Sequence, residues 1–253
     1  MTTDILELDR LRKNFGGVVA VSDLSLTIKK GAISSLIGPN GAGKTTIFNL
    51  VTGFVRPSAG HMVFSGRRIN ALKPHAIAAI GISRTFQNVQ IFPNMSVLEN
   101  IMVGRHLRSR AGMLYSCIFP PALRNEEKRI RRDAEKQLHF LGLEQYADKP
   151  AGSLPLGSQR MLEIARALAL EPDLLLLDEP ASGLNARETI VMGDLIGKIK
   201  EMHVTVWLVE HDMDLVMDIS DHVAVINFGG LIAQGTPAEI QQNPAVIAAY
   251  LGG

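Results

Sequence analysis

Cysteine is almost missing from this chain: Cys117 is the single one in 253 residues. It cannot form an internal disulfide, which suits a reducing compartment. An excess of charge of either sign is missing too. The 26 Lys and Arg nearly balance the 25 Asp and Glu, for a formal net charge of +1. No overall field therefore draws the chain to anionic lipid or nucleic acid, and no nucleic-acid partner is expected. No apolar run reaches bilayer-spanning length. The opening MTTDILELDR carries acids where a signal peptide would be basic. A soluble chain is expected, with any membrane role exercised through a partner. Repeats and low-complexity segments are also lacking. Apolar residues are plentiful, at 46% of the chain, enough for one substantial core or a core with an inserted lobe.

The texture changes twice along the chain. ILELDRLRKNF and LSLTI read as strands. ISSLIGPNGAGKTTIFNLVTG passes from an apolar strand through a glycine loop into a helix ending near Gly53. RPSAGHMVFSG reads as a turn and a strand, and PHAIAAIGISRTFQ as a short helix and then a strand. From Val89 strand-like runs stop. Ser96 to Glu99 fits a capping box, and Ile130, Ala134, Leu138 and Leu141 recur at helical spacing. After Gly157 helix and strand alternate again. The expected organisation is an α/β core, residues 1–88 and 159–253, interrupted by a helical subdomain, residues 89–158.

Two stretches carry chemistry. Gly38, Pro39, Asn40, Gly41, Ala42, Gly43, Lys44 and Thr45 fit G-x-x-x-x-G-K-[ST], and Thr46 follows. Glycines let successive backbone N–H groups turn toward phosphate oxygens, and the helix N-terminus adds its dipole. Lys44 would neutralise the β- and γ-phosphates, and the Thr45 hydroxyl would ligate Mg²⁺. The run LLLLDE, Leu174 to Glu179, reads as a buried parallel strand ending in two acids. At the ligand-binding edge of an open sheet, Asp178 would hold Mg²⁺ and Glu179 would deprotonate a water. An Asp-Glu pair alone is weak evidence; beside a phosphate loop it defines a nucleotide site. A second apolar strand, VWLVE, ends at His211, where a γ-phosphate contact is expected. His61, His75, His106, His139, His203 and His222 lack such a context.

The order of these motifs resembles the nucleotide-binding subunit of an ABC transporter. That resemblance implies an α/β P-loop NTPase (RecA-like) core with an N-terminal antiparallel β subdomain and an inserted α-helical subdomain. It implies that Phe15 in KNFGG stacks on adenine and that Gln87 in RTFQ links the Mg²⁺ and γ-phosphate to the membrane subunit. It implies that ASGLN, Ala181 to Asn185, is the D-loop and that LPLGS is the signature. The latter aligns Leu154, Pro155, Leu156, Gly157 and Ser158 with the family's L-S-G-G-Q. FGGVVAV, RTFQNVQIF, VEHDMDLVM and NPAVIAAYLG further resemble the ATP-binding subunits of branched-chain amino-acid importers. The insertion from about Arg105 to Arg132 and the altered signature resemble the larger of their two sister ATPases.

The resemblance implies ATP and Mg²⁺ as cofactors. It also implies a head-to-tail dimer with ATP at the interface, a heterodimer with a sister ATPase being favoured over pairing with itself. Two transmembrane permease subunits are implied as partners, with a periplasmic or extracellular solute-binding protein acting indirectly. The site of action would be the cytoplasmic face of a bacterial or archaeal inner membrane, held peripherally. A groove near Gln87, lined by Ile91 and Phe92, would receive a coupling helix. The chain stops soon after its last helix, leaving no room for an added regulatory domain. Three alternatives stay open: an importer for amides, urea or another polar solute, a soluble non-transport ATPase of the family, and a nucleotide-binding scaffold without turnover.

Overall fold

The computed structural model describes residues 4–106 and 120–251. Cys117 and much of the arginine-bearing insertion lie outside them. The chain divides into two compact units, residues 1–84 with 173–253, and residues 85–172.

The first unit holds two sheets. β1 (Asp4–Phe15), β2 (Val18–Lys29), β4 (Ala59–Phe64) and β5 (Arg67–Arg68) form an antiparallel sheet in the order β2-β1-β4-β5. Its strands come from both sides of the phosphate loop, because β3 (Ile33–Ile37) and α1 (Lys44–Val51) intervene in sequence. The second sheet has the order β10-β9-β3-β8-β7-β6, using β6 (Ile82–Arg84), β7 (Leu174–Asp178), β8 (Thr205–Val209), β9 (His222–Asn227) and β10 (Gly230–Gly235). Strands β9, β3, β8, β7 and β6 run parallel, and β10 closes the edge antiparallel to β9. Every residue of β3, β7 and β8 is buried, as expected of parallel strands covered on both faces. On one face Leu36, Leu176 and Trp207 join Leu6, Leu24, Ile28 and Phe48 in a single apolar cluster. Phe48 of α1 meets Trp207 of β8 with ring centroids 4.9 Å apart at 57°. The opposite face carries Ile37, Val223 and Val225 under Val216, Ile240 and Val246. These last two lie on α8 (Pro237–Gln241) and α9 (Pro244–Leu251).

The second unit is helical, as the loss of strand texture predicts. Its helices are α3 (Val97–His106), α4 (Pro120–Leu141) and α5 (Leu156–Leu168). The capping box opening α3 is formed: Glu99 N–H donates to Ser96 Oγ at 3.2 Å, and Ser96 N–H to Glu99 Oε2 at 2.8 Å. The expected break between subdomains, after residue 158, cuts α5 in its first turn, whereas all of α5 belongs with the helical unit. The reason is packing: Leu162, Ala165 and Ala169 share one cluster with Val97, Leu98, Ile101, Ala134 and Leu138. Gly104 lets α3 lie against α5 closely, since a Cβ there would sit 2.3 Å from the Arg166 carbonyl oxygen. Arg105, at the start of the insertion, pairs with Asp133 at 3.1 Å and Glu171 at 2.7 Å.

Candidate functional site

The loop after β3 is bent by its neighbours. A Cβ on Gly38 would lie 2.1 Å from the Ile226 carbonyl oxygen, and one on Gly43 2.5 Å from that of Ala20. Gly43, with φ of 106°, caps α1 without a side chain. Pro39, Asn40 and Gly41 span the turn, and Ala42 C=O accepts from Gly229 N–H at 2.9 Å. Lys44 is buried, and its Nζ donates to the carbonyls of Gly38 at 2.5 Å and Pro39 at 3.1 Å. The Lys44 ammonium is held below its ordinary pKa by burial, while Glu179 and Asp178 pull it back up. Thr45 is exposed in the first turn of α1, with Thr46 half-buried beside it.

Asp178 ends β7 and is buried; burial raises its pKa against the pull of Arg84. Glu179 follows with φ of 51°, a left-handed conformation uncommon outside glycine. Its N–H donates to Val209 C=O at 2.8 Å, which ties it to β8. His211 Nδ1 stands 3.8 Å from Glu179 Oε2, beyond hydrogen-bond range, on a mostly exposed side chain. The structure thus brings Lys44, Asp178, Glu179 and His211 to one edge of the sheet. Phe15 ends β1 half-exposed, with Lys13 Nζ 4.8 Å from its ring centroid. Its flat face is suited to stacking.

Gln87 and the segment 154–158 belong to the helical unit, where Gln87 is exposed. Pro155 is the N-cap of α5, and no side-chain hydrogen bond caps that helix. Leu156 is 42% exposed, Gly157 is buried and Ser158 half-buried in the first turn. Leu154, grouped with the nucleotide contacts on the motif alignment, is a core side chain at 5% exposure. What it offers at the surface is only the start of the helix. Ile91 packs on the helical core, whereas Phe92 is 44% exposed under the Arg166 guanidinium.

Four residues escape a reading of local pattern. Arg84 places its guanidinium 2.7 Å from Asp178 Oδ2, with both side chains buried. Glu210 is buried and accepts from the N–H groups of Ala181 at 2.8 Å and His211 at 3.0 Å. It therefore joins the loop after Glu179 to the loop bearing His211. Glu163, buried on α5, accepts from Phe86 N–H at 3.1 Å and Gln90 N–H at 3.3 Å. It shapes the loop that carries Gln87. Tyr250 of α9 lies beside Gly38, whose backbone pulls the phenol pKa down against the burial that raises it. The signals available were an arginine or an acid closing an apolar run; nothing local names their partners.

Burial is the largest influence on Glu163 and raises its pKa, against its backbone bonds and then Arg166 and Arg160. A raised folded-state pKa means that ionisation costs stability. The penalty is absent below the unfolded carboxylate pKa, grows as pH rises through the carboxylate range, and persists at neutrality. Glu163→Gln keeps an acceptor and removes the charge. It is expected to melt at or above wild type near neutrality, with the gap closing toward about pH 4. Thermal melts across that range check it.

Among the described residues no helix is long and apolar enough to cross a membrane. None of them forms a cluster of three or more His, Cys, Asp or Glu able to hold a metal ion. A hydroxyl and one carboxylate remain as donors, which suits Mg²⁺ shared with substrate phosphates rather than an all-protein cage.

A family model described as ABC transporter matches residues 21–182. One described as branched-chain amino acid ATP-binding cassette transporter matches residues 231–253. The high-affinity branched-chain amino acid transport ATP-binding protein BraF of Pseudomonas aeruginosa is 46% identical over 253 residues, covering 100% of this chain and 99% of that protein. Its counterparts named LivG are 44% identical in Salmonella typhimurium and 42% in Escherichia coli K12, with the same coverage. Among solved structures, an ATP-binding cassette of an ABC transporter in its ADP conformation matches with TM-score 0.87 and 31% identity, covering 100% of both chains. A nucleotide-free cassette matches with TM-score 0.86 and 31% identity, covering 99% of this chain and 100% of that one.

Proposed function

Because this chain belongs to the ABC transporter ATP-binding family, we propose that it hydrolyses ATP to drive an importer of branched-chain amino acids. The observation that carries the substrate class is the likeness, along the whole chain, to transport ATP-binding proteins named for those amino acids. The chemistry rests on the sheet edge. Backbone N–H groups of residues 38–46 cradle the phosphates, Lys44 balances their charge, and Phe15 stacks on adenine. Thr45 and Asp178 would hold Mg²⁺, which would offset charge building up on the transferred phosphoryl group. Glu179 takes the proton of the attacking water, His211 orients the γ-phosphate, and Gln87 reports on both.

The subunit works in a head-to-tail pair, where the start of α5 in one subunit covers ATP held by the other. ATP then binds the closed pair better than the open one, and hydrolysis removes that preference. The permease partners follow through the surface around Phe92, at the cytoplasmic face of the membrane. Proline and leucine at 155 and 156, and serine at 158, favour a non-identical partner with a fuller signature. Pro155→Ser would restore a hydroxyl worth about 0.5–1.5 kcal/mol. Turnover at the partner's site should rise by roughly two- to tenfold, measured with the site in this chain silenced. No rise would make the departure neutral.

The reading as a whole is tested by reconstitution with the permease subunits and a panel of loaded solute-binding proteins. ATPase activity and uptake stimulated by a leucine-, isoleucine- or valine-loaded protein is expected. Stimulation confined to amide- or urea-loaded proteins would overturn the substrate class.

A further inference from the structure

Arg84 is the last residue of β6, in parallel register with Leu176 of β7. Side chains two apart on a strand share a face, so Asp178 lies on the face that Arg84 uses. The guanidinium is held at both of its terminal nitrogens. Besides its 2.7 Å contact with Asp178 Oδ2, Nη1 donates to Asn49 Oδ1 at 2.7 Å and to Thr52 Oγ1 at 3.2 Å. The group lies 5.5 Å from the Phe48 ring centroid. Side-chain exposures are 5% for Arg84 and 2% for Asp178. Phe48, Asn49 and Thr52 lie on or end α1, the helix that begins at Lys44. One arginine thus clamps the acid at the end of β7 to the helix of the phosphate loop.

We propose that Arg84 is a positioning residue that sets the orientation of Asp178 for Mg²⁺. The inference rests on the reading of Asp178 as a Mg²⁺ ligand given above. A planar fork with several donors can bond Asp178, Asn49 and Thr52 at once. A lysine ammonium is a compact point charge and cannot span them. Arg84→Lys therefore keeps the charge and removes the clamp.

The test measures Mn²⁺ affinity of the ADP-loaded protein by electron paramagnetic resonance, beside ATP affinity in EDTA. Loss of an outer-shell partner weakens a metal site by about 10- to 100-fold. Arg84→Lys should weaken Mn²⁺ binding by about tenfold while ATP affinity in EDTA stays within about twofold of wild type. Asn49→Ala, which loosens the clamp and leaves Arg84 in place, should move Mn²⁺ affinity the same way by less. Unchanged Mn²⁺ affinity in a folded Arg84→Lys protein overturns the proposal. If that variant does not fold, unchanged affinity in Asn49→Ala overturns it. Asp178→Asn is the separate control: wild-type Mn²⁺ affinity there would remove Asp178 from the metal site, whatever Arg84 does.

Discussion

Glu179→Gln should retain ATP binding and lose roughly 10²- to 10⁴-fold in turnover, the usual contribution of a positioned general base. The substitution preserves size and removes only the ability to accept a proton. Its backbone setting should survive, because the Glu179 N–H bond to Val209 and the left-handed φ of 51° depend on the main chain. That conformation costs of order 1–3 kcal/mol in a residue other than glycine. The parallel pairing of Asp178 with Val209 sustains it. On the proposed head-to-tail pairing, blocking turnover leaves ATP in place and the pair closed. Size-exclusion chromatography with the partner subunit and MgATP should therefore show a persistent pair, with single-turnover hydrolysis giving the rate. Wild-type turnover would remove Glu179 from the base position.

Lys44→Ala should lower ATP affinity by about 10²-fold or more. Hydrogen bonds to charged groups contribute about 1.5–3 kcal/mol each, and Lys44 is placed to serve two phosphates. Each 1.4 kcal/mol is tenfold. The loss should exceed that of one hydrogen bond for a second reason. Lys44 is the cation that Asp178 and Glu179 act on, so without it two acids face the triphosphate. The loop also loses the bonds to Gly38 and Pro39. A fluorescent-ATP titration, with circular dichroism to check the fold, measures this. Unchanged affinity would exclude Lys44 from the phosphate site.

Much of the core was legible before any coordinates. Continuous apolar runs marked β7 and β8, because a strand covered on both faces has no polar side to show. The glycine positions marked the phosphate loop, because no side chain tolerates that approach to the Ile226 and Ala20 carbonyls. The helical unit announced itself by the loss of strand texture and by Ser96 with Glu99. Its limit is not legible at α5, since an amphipathic helix does not reveal which neighbour its apolar stripe will choose. Leu154 is another case: its motif position suggested a nucleotide contact, and its apolar side chain went to the core.

The sequence by itself determined the glycine loop ahead of Lys44 and the acids at the end of β7. Those features depend on residue type and spacing over a few positions. Only the tertiary structure decided which distant residues complete them. Arg84 meets Asp178 across 94 positions, Glu210 holds Ala181 across 29, and Glu163 holds Phe86 across 77. Parallel strands require crossover connections, so residues adjacent across the sheet are remote along the chain. Local periodicity shows which face a side chain takes, and the strand order then chooses its partner.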